Sequence, residues 1–206
     1  MERTRDLFWV GLPLAVLLLI GGCGPRVQRS SVSYGNPRVL VTTEMGDITI
    51  EVYATQAPIT AANFLRYVRE DRFAGATFYR TVRPDNQPDK PIKIEVIQGG
   101  LQDDEAGQGL PPIPHETTAQ TGIRHKDGTV SMARAEPGTA SSEIFICIGD
   151  QPELDLGGKR NLDGQGFAAF GQVVEGMEVV RAIQARPADG QWLTPKIQIK
   201  SVRLLR

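Results

Sequence analysis

From Val39 onward the sequence is a succession of short stretches with the composition and alternation of β-strands, each ended by a cluster rich in Gly, Pro or charge. They cover 39–43, 48–52, 77–82, 92–98, 129–133, 144–148, 167–173 and 196–205. A turn at Met45, Gly46 and Asp47 makes the first two an antiparallel hairpin. So many short strands in one sheet would expose edges to chance pairing, and closing the sheet into a barrel removes them. Only two stretches carry helical periodicity. Pro58 suits a first helical turn, and Ala61, Phe64, Leu65 and Val68 follow as one apolar stripe; Met177, Val180 and Ile183 mark a shorter helix near the end. In the last strand the apolar phase switches between Ile199 and Val202, which predicts a bulge near Lys200. The 22 Gly and 14 Pro fit this mainly β reading, with many turns, better than a helical bundle.

The first segment follows a different rule. Arg3 and Arg5 precede an apolar run from Leu7 to Ile20, short for a bilayer span and of the right length for a signal-peptide core. The run ends Leu-Ile-Gly-Gly-Cys at 19–23, which resembles the bacterial lipobox. We therefore expect 1–22 to be a cleaved lipoprotein signal and Cys23 to be lipidated, against the alternatives of an ordinary signal or an uncleaved anchor. Residues 23–37, rich in Ser, Arg, Gly and Pro, read as a flexible linker, and 38–206 as one globular domain. The chain is expected to be exported and held to a bacterial membrane by its lipid, with the domain facing the periplasm or cell exterior.

Composition narrows the function. With 23 Lys and Arg against 24 Asp and Glu, nothing advertises a nucleic-acid partner. Cys147 sits in the apolar run 144–148 as a small buried thiol, so no disulfide is expected. His115 and His125 lie in turn-rich stretches as loop residues, too few and too scattered for a metal site. Ser141 and Ser142 have no histidine base at a recognisable spacing, which argues against a hydrolase. Asp103, Asp104 and Glu105 read as a solvated charge run. No cofactor or metal is called for, and a monomer is expected.

Six strings in order carry more information than any of these patterns. Thr-Ala-Ala-Asn-Phe at 60–64, Phe-Tyr-Arg at 78–80, Gln-Gly-Gly at 98–100, Val-Ser-Met-Ala at 130–133, Ser-Ser-Glu-Ile-Phe-Ile at 141–146 and Phe-Gly-Gln-Val-Val-Glu-Gly-Met at 170–177 closely resemble the cyclophilin family. The resemblance spans nearly the whole domain. It implies a closed eight-stranded antiparallel barrel capped by two α-helices, with proline-containing polypeptides bound in a groove on the outer face. It implies a peptidyl-prolyl cis-trans isomerase, whose clients the leader would make exported proteins, or alternatively a proline-peptide binding or scaffold module with weak or no turnover.

Carried over residue by residue, the resemblance makes Arg80 the catalytic arginine and Gln98 its neighbour. Phe145, Met132, Ala133 and Leu154 belong to the proline pocket and its surroundings. Glu143 and Phe167 also fall at pocket positions, but depart from the family's usual glutamine and histidine. Further departures are Glu95 and Val96, where an aromatic and a methionine are usual, Arg134 for asparagine, and Glu153 where tryptophan is common. Two insertions, 83–91 and 157–165, lie near these positions and read either as remodelling the groove or as inert surface loops. An arginine suits the implied reaction. Rotation about an X–Pro bond makes or breaks no covalent bond, and a charged guanidinium can donate to the prolyl nitrogen as it regains its lone pair.

Overall fold

The computed structural model describes residues 35–102 and 107–205. The expected leader 1–22, Cys23, all of the linker before Gly35, and the charge run Asp103, Asp104 and Glu105 lie outside the described residues.

Eight strands close into a barrel. In chain order they are β1 (Arg38–Thr43), β2 (Gly46–Val52), β3 (Thr77–Val82), β4 (Val96–Gly100), β5 (Thr129–Met132), β6 (Ile144–Cys147), β7 (Ala168–Glu175) and, after the two-residue β8 (Ala188–Asp189), the long β9 (Trp192–Leu204). Around the barrel the order is β1-β2-β7-β5-β6-β4-β3-β9, and β9 pairs back with β1. Every pairing is antiparallel, as the alternation predicts. Between β1 and β9 the register steps from Thr42 opposite Ser201 to Thr43 opposite Ile199, so Lys200 is the extra residue and the expected bulge is there.

Among the described residues three α-helices accompany the barrel instead of two, the unforeseen one being the single turn α2 (Thr118–Thr121). The stripe of α1 (Pro58–Arg69) is buried as expected, with Phe64 5.0 Å from Phe170 between ring centroids. Its first amides are satisfied from far along the chain, since the buried Glu116 carboxylate accepts from Ile59 N, Thr60 N and Thr60 Oγ1. Val180 and Ile183 bury the inner face of α3 (Met177–Gln184).

Alternation divides the apolar residues between two cores. Ile97, Val130, Met132, Ile144, Ile146 and Phe170 point into the barrel, whereas Val82, Val96, Phe145, Cys147 and Leu154 form a smaller cluster on its outside. Strand β6 is buried on both faces, which is why 144–148 reads as an unbroken apolar run. Cys147 is buried and free, and its thiol is held well above its ordinary pKa by burial. Two strand starts differ from expectation by four residues. The stretch 92–98 becomes a strand only at Val96, because the side-chain amide of Gln87 takes the place of a neighbouring strand for Ile94, accepting from its N–H and donating to its C=O. The last strand begins four residues early, at Trp192.

Candidate active site

A single row of cross-strand partners carries the site. Arg80 on β3 stands opposite Gln98 on β4, Gln98 opposite Phe145 on β6, and Phe145 opposite Ser131 on β5. Strict alternation from Phe78, which faces the barrel interior, would have turned Arg80 inward too. The register shift between Phe78 and Arg80 leaves Tyr79 as the extra residue of a bulge, and Arg80 emerges on the outer face.

Arg80 is gripped from both neighbouring strands. Its Nη1 donates to Gln98 Oε1 at 2.8 Å, while Nε and Nη2 donate to Gln191 Oε1 at 3.0 and 2.6 Å. Gln191, just before β9, is itself fixed by donating to the Asn86 carbonyl. Both partners are neutral amides, so the guanidinium is oriented without losing its charge to a carboxylate. Burial lowers the Arg80 pKa, with the Tyr79 oxygen acting in the opposite sense, and a group that starts so basic stays protonated.

Behind Gln98 runs a hydrogen-bonded chain. Gln98 Nε2 donates to Tyr79 Oη at 2.6 Å, and that hydroxyl donates to Glu143 Oε2 at 2.7 Å. The other Glu143 oxygen accepts from Gln102 N and Ser142 Oγ. A carboxylate where the family usually has an amide can only accept, so it fixes the direction of the whole chain. Burial, then the Glu143 charge and hydrogen bond, push the Tyr79 phenol above its ordinary pKa. Gly100, at φ +153°, leaves the space that Glu143 fills; a Cβ there would stand 2.5 Å from Oε1.

The groove floor is apolar. Phe167 meets Phe145 edge-on at 5.3 Å, and Leu154 lies buried beside them. The far face of Phe145 stacks on His125, 5.9 Å away between centroids. That histidine lies in a loop, as its turn-rich surroundings suggested, but not on the surface. It is buried between Asp155, 2.8 Å from Nδ1, and Ser131, 3.0 Å from Nε2, so it backs the floor.

A cavity of about 500 Å³ brings together Arg80, Gln98, Ala133, Glu143, Phe145, Leu154 and Phe167. Met132 is the exception and a correction: it points into the barrel, 1% exposed, because it alternates with Ser131 and Ala133, which face outward. Of the departures from the family pattern, Val96 lines the floor and Arg134 holds the second insertion. Arg134 forms a bidentate pair with Asp163, donates to the Gly166 carbonyl and lies 5.1 Å over the Phe167 ring. Glu95, not among the cavity's lining residues, accepts from Gln184. Sequence reasoning missed the roles of Tyr79, Gln191 and His125. Only Tyr79 carried a signal, by its place inside Phe-Tyr-Arg.

A family model, cyclophilin type peptidyl-prolyl cis-trans isomerase/CLD, matches residues 38–204. The chain belongs to the cyclophilin family. As a member it is a peptidyl-prolyl cis-trans isomerase. This cyclophilin is 29% identical over 191 residues to a peptidyl-prolyl cis-trans isomerase of Acinetobacter baylyi, covering 92% of each chain. It is 34% identical over 143 residues to peptidyl-prolyl cis-trans isomerase B of Escherichia coli, covering 69% of this chain and 80% of that one. Among solved structures, a Cryptosporidium parvum cyclophilin type isomerase superposes with a TM-score of 0.67 at 20% identity, over 83% of this chain and 98% of the other. A second structure of that protein was determined in the presence of the dipeptide Ala-Pro.

Proposed function

We propose that this cyclophilin accelerates X–Pro isomerisation in exported polypeptides, with Arg80 as the catalytic residue and the Phe145–Leu154–Phe167 floor as the seat of the prolyl ring. The observation that carries this reading is the register row, in which an oriented, unneutralised guanidinium stands beside an amide and an aromatic floor. The barrier to rotation is about 18–20 kcal/mol because amide resonance must be lost. A catalyst need only bind the twisted amide better than either planar one. As the prolyl nitrogen becomes pyramidal it accepts a hydrogen bond, and Arg80 is the donor. A charged hydrogen bond is worth about 1.5–3 kcal/mol, which is roughly one to two decades in rate. Holding the ring on an apolar floor, with Gln98 fixing the peptide backbone, supplies the rest.

Comparison of the full chain in detergent with Arg80→Ala, in a protease-free proline-exchange assay, tests this. The variant should lose about one to two decades of kcat/KM. Equal rates would remove Arg80 as catalyst, and saturable peptide binding without faster exchange would make the groove a binding module instead.

The charged and apolar order of the first 22 residues, with the lipobox-like ending at Cys23, supports a membrane-tethered form facing the periplasm or cell exterior. Replacement of Cys23 by Ser should abolish acyl labelling and move the protein from the membrane to the soluble fraction. Unchanged fractionation and labelling would rule out the anchor.

A further inference from the structure

Cations surround the groove in excess. Arg80, Lys90, Arg134 and Arg160 line it, against the single carboxylate of Glu143. Two of these charges are already answered. Arg134 is cancelled by Asp163 in its bidentate pair, and both Glu143 oxygens are filled by Tyr79, Gln102 and Ser142. Arg80 is held by neutral amides.

Arg160 differs from all of them. It comes from the second insertion and reaches across to the first, where its Nη1 donates to Gln87 Oε1 at 2.8 Å and, one residue past that insertion, to the Ile92 carbonyl at 2.6 Å. One nitrogen thus ties the two insertions into a common wall. Among the described residues, Nε and Nη2 have no acceptor, and no carboxylate pairs with Arg160 or with the exposed Lys90. Burial first, and then the nearby charge of Arg80, lower the Arg160 pKa, so the two guanidiniums share one neighbourhood. A half-buried cation beside an apolar floor attracts a counter-charge more strongly than one in open water. The described residues supply none, and the groove's occupant is a peptide.

Resting on the isomerase reading above, we infer that Arg160, assisted by Lys90, is a specificity-determining residue that selects peptides carrying Asp or Glu within two residues of the proline. The insertions then do more than decorate the surface. They add an acid-reading wall to a site whose floor reads only proline.

Three otherwise identical proline peptides with Glu, Ala or Lys beside the proline, given in turn at positions one and two before and after it, test the inference on the full chain in detergent. At the responsive position the Glu peptide should exceed the Lys peptide in kcat/KM by about tenfold at low salt, as a charge pair at a half-buried site allows. The ratio should shrink as salt rises. Arg160→Gln should bring it near one, and Arg160→Lys should keep most of it. A wild-type ratio near one at every position overturns the inference whatever the variants do. So does an Arg160→Gln protein that loses the same factor on all three peptides, since Arg160 would then be only a clamp between loops. If the wild type accelerates no peptide at all, the isomerase reading fails, and titration with the same peptides still decides this one. Tighter binding of the Glu peptide that vanishes in Arg160→Gln sustains it, and equal affinities sink it.

Discussion

Gln191 gives Arg80 its aim. A guanidinium bonded only to Gln98 could swing about that contact, whereas two further bonds from the β9 side fix its plane. Gln191→Leu removes both, so Arg80 keeps its charge but samples orientations that miss the prolyl nitrogen. We expect kcat to fall about tenfold, the worth of roughly 1.4 kcal/mol of transition-state stabilisation, with KM nearly unchanged. Gln191→Asn should recover part of the loss. A rise in KM at constant kcat would show instead that Gln191 contacts substrate. Arg80, Gln98 and Phe145 were legible in the sequence because each sits in a string whose order is informative. Gln191 was not, for a physical reason: Thr194 and Pro195 interrupt the apolar alternation, so the last strand read as starting at Lys196 and Gln191 as part of a loop. Its partner lies 111 residues away. Met132 failed in the opposite sense, since a matching string says nothing of which face a side chain takes.

At the scale of elements, the two insertions are ordered by specific bonds. The first contains a 3₁₀ turn (Pro84–Asn86) with Asn86 accepting from Arg83 N, and buries Gln87; the second hangs on Arg134 through Asp163. Periodicity could not show this, because such loops are built from side-chain-to-backbone bonds that leave no repeating pattern. The departures from the family are the better signal: Arg134 appears in the same chain as the loop it holds. Its pair makes a pH prediction. The hydrogen bonds from Arg134, and then from Gln165 N, hold the Asp163 carboxyl below its ordinary range. A depressed folded-state pKa means that the stabilisation is complete above the unfolded value, about 3.9, and is lost as pH falls through the lower folded one. Protection of the Gln165 amide, whose N–H donates to Asp163, measured against the intrinsic exchange rate at each pH, should therefore hold at neutral pH and fall below about pH 4, ahead of global unfolding. Asp163→Asn should show the reduced protection already at pH 7. Protection at Gln165 insensitive to both changes would mean that the loop is held by other contacts.

The molecule as a whole keeps stability and chemistry on opposite faces of the same strands, and two phenylalanines expose the division. Phe170 is 0% exposed inside the barrel and packs on Phe64 of α1, so Phe170→Ala leaves a cavity that the closed sheet cannot collapse to fill. The expected cost is about 3–5 kcal/mol in denaturant unfolding. Phe145 is nearly as buried, yet it belongs to the outer cluster and one side of its ring borders the groove. Water can enter the space that Phe145→Ala opens, so its cost in stability should be smaller, while its cost in kcat/KM should be large because the prolyl ring loses its floor. Measured at a temperature where both variants are folded, Phe170→Ala should keep the parent's kcat and KM and Phe145→Ala should not. A mainly β domain was readable from its turns and alternation, with closure as one way to remove the edges of so many short strands, while the eight-stranded barrel came with the family resemblance. Which face of β6 would hold the site was not readable, because Ile144–Cys147 is apolar on both sides. If Phe170→Ala impaired turnover as severely as Phe145→Ala did, the interior packing would have to set the geometry of Arg80 through the strands, and the two faces would be mechanically one.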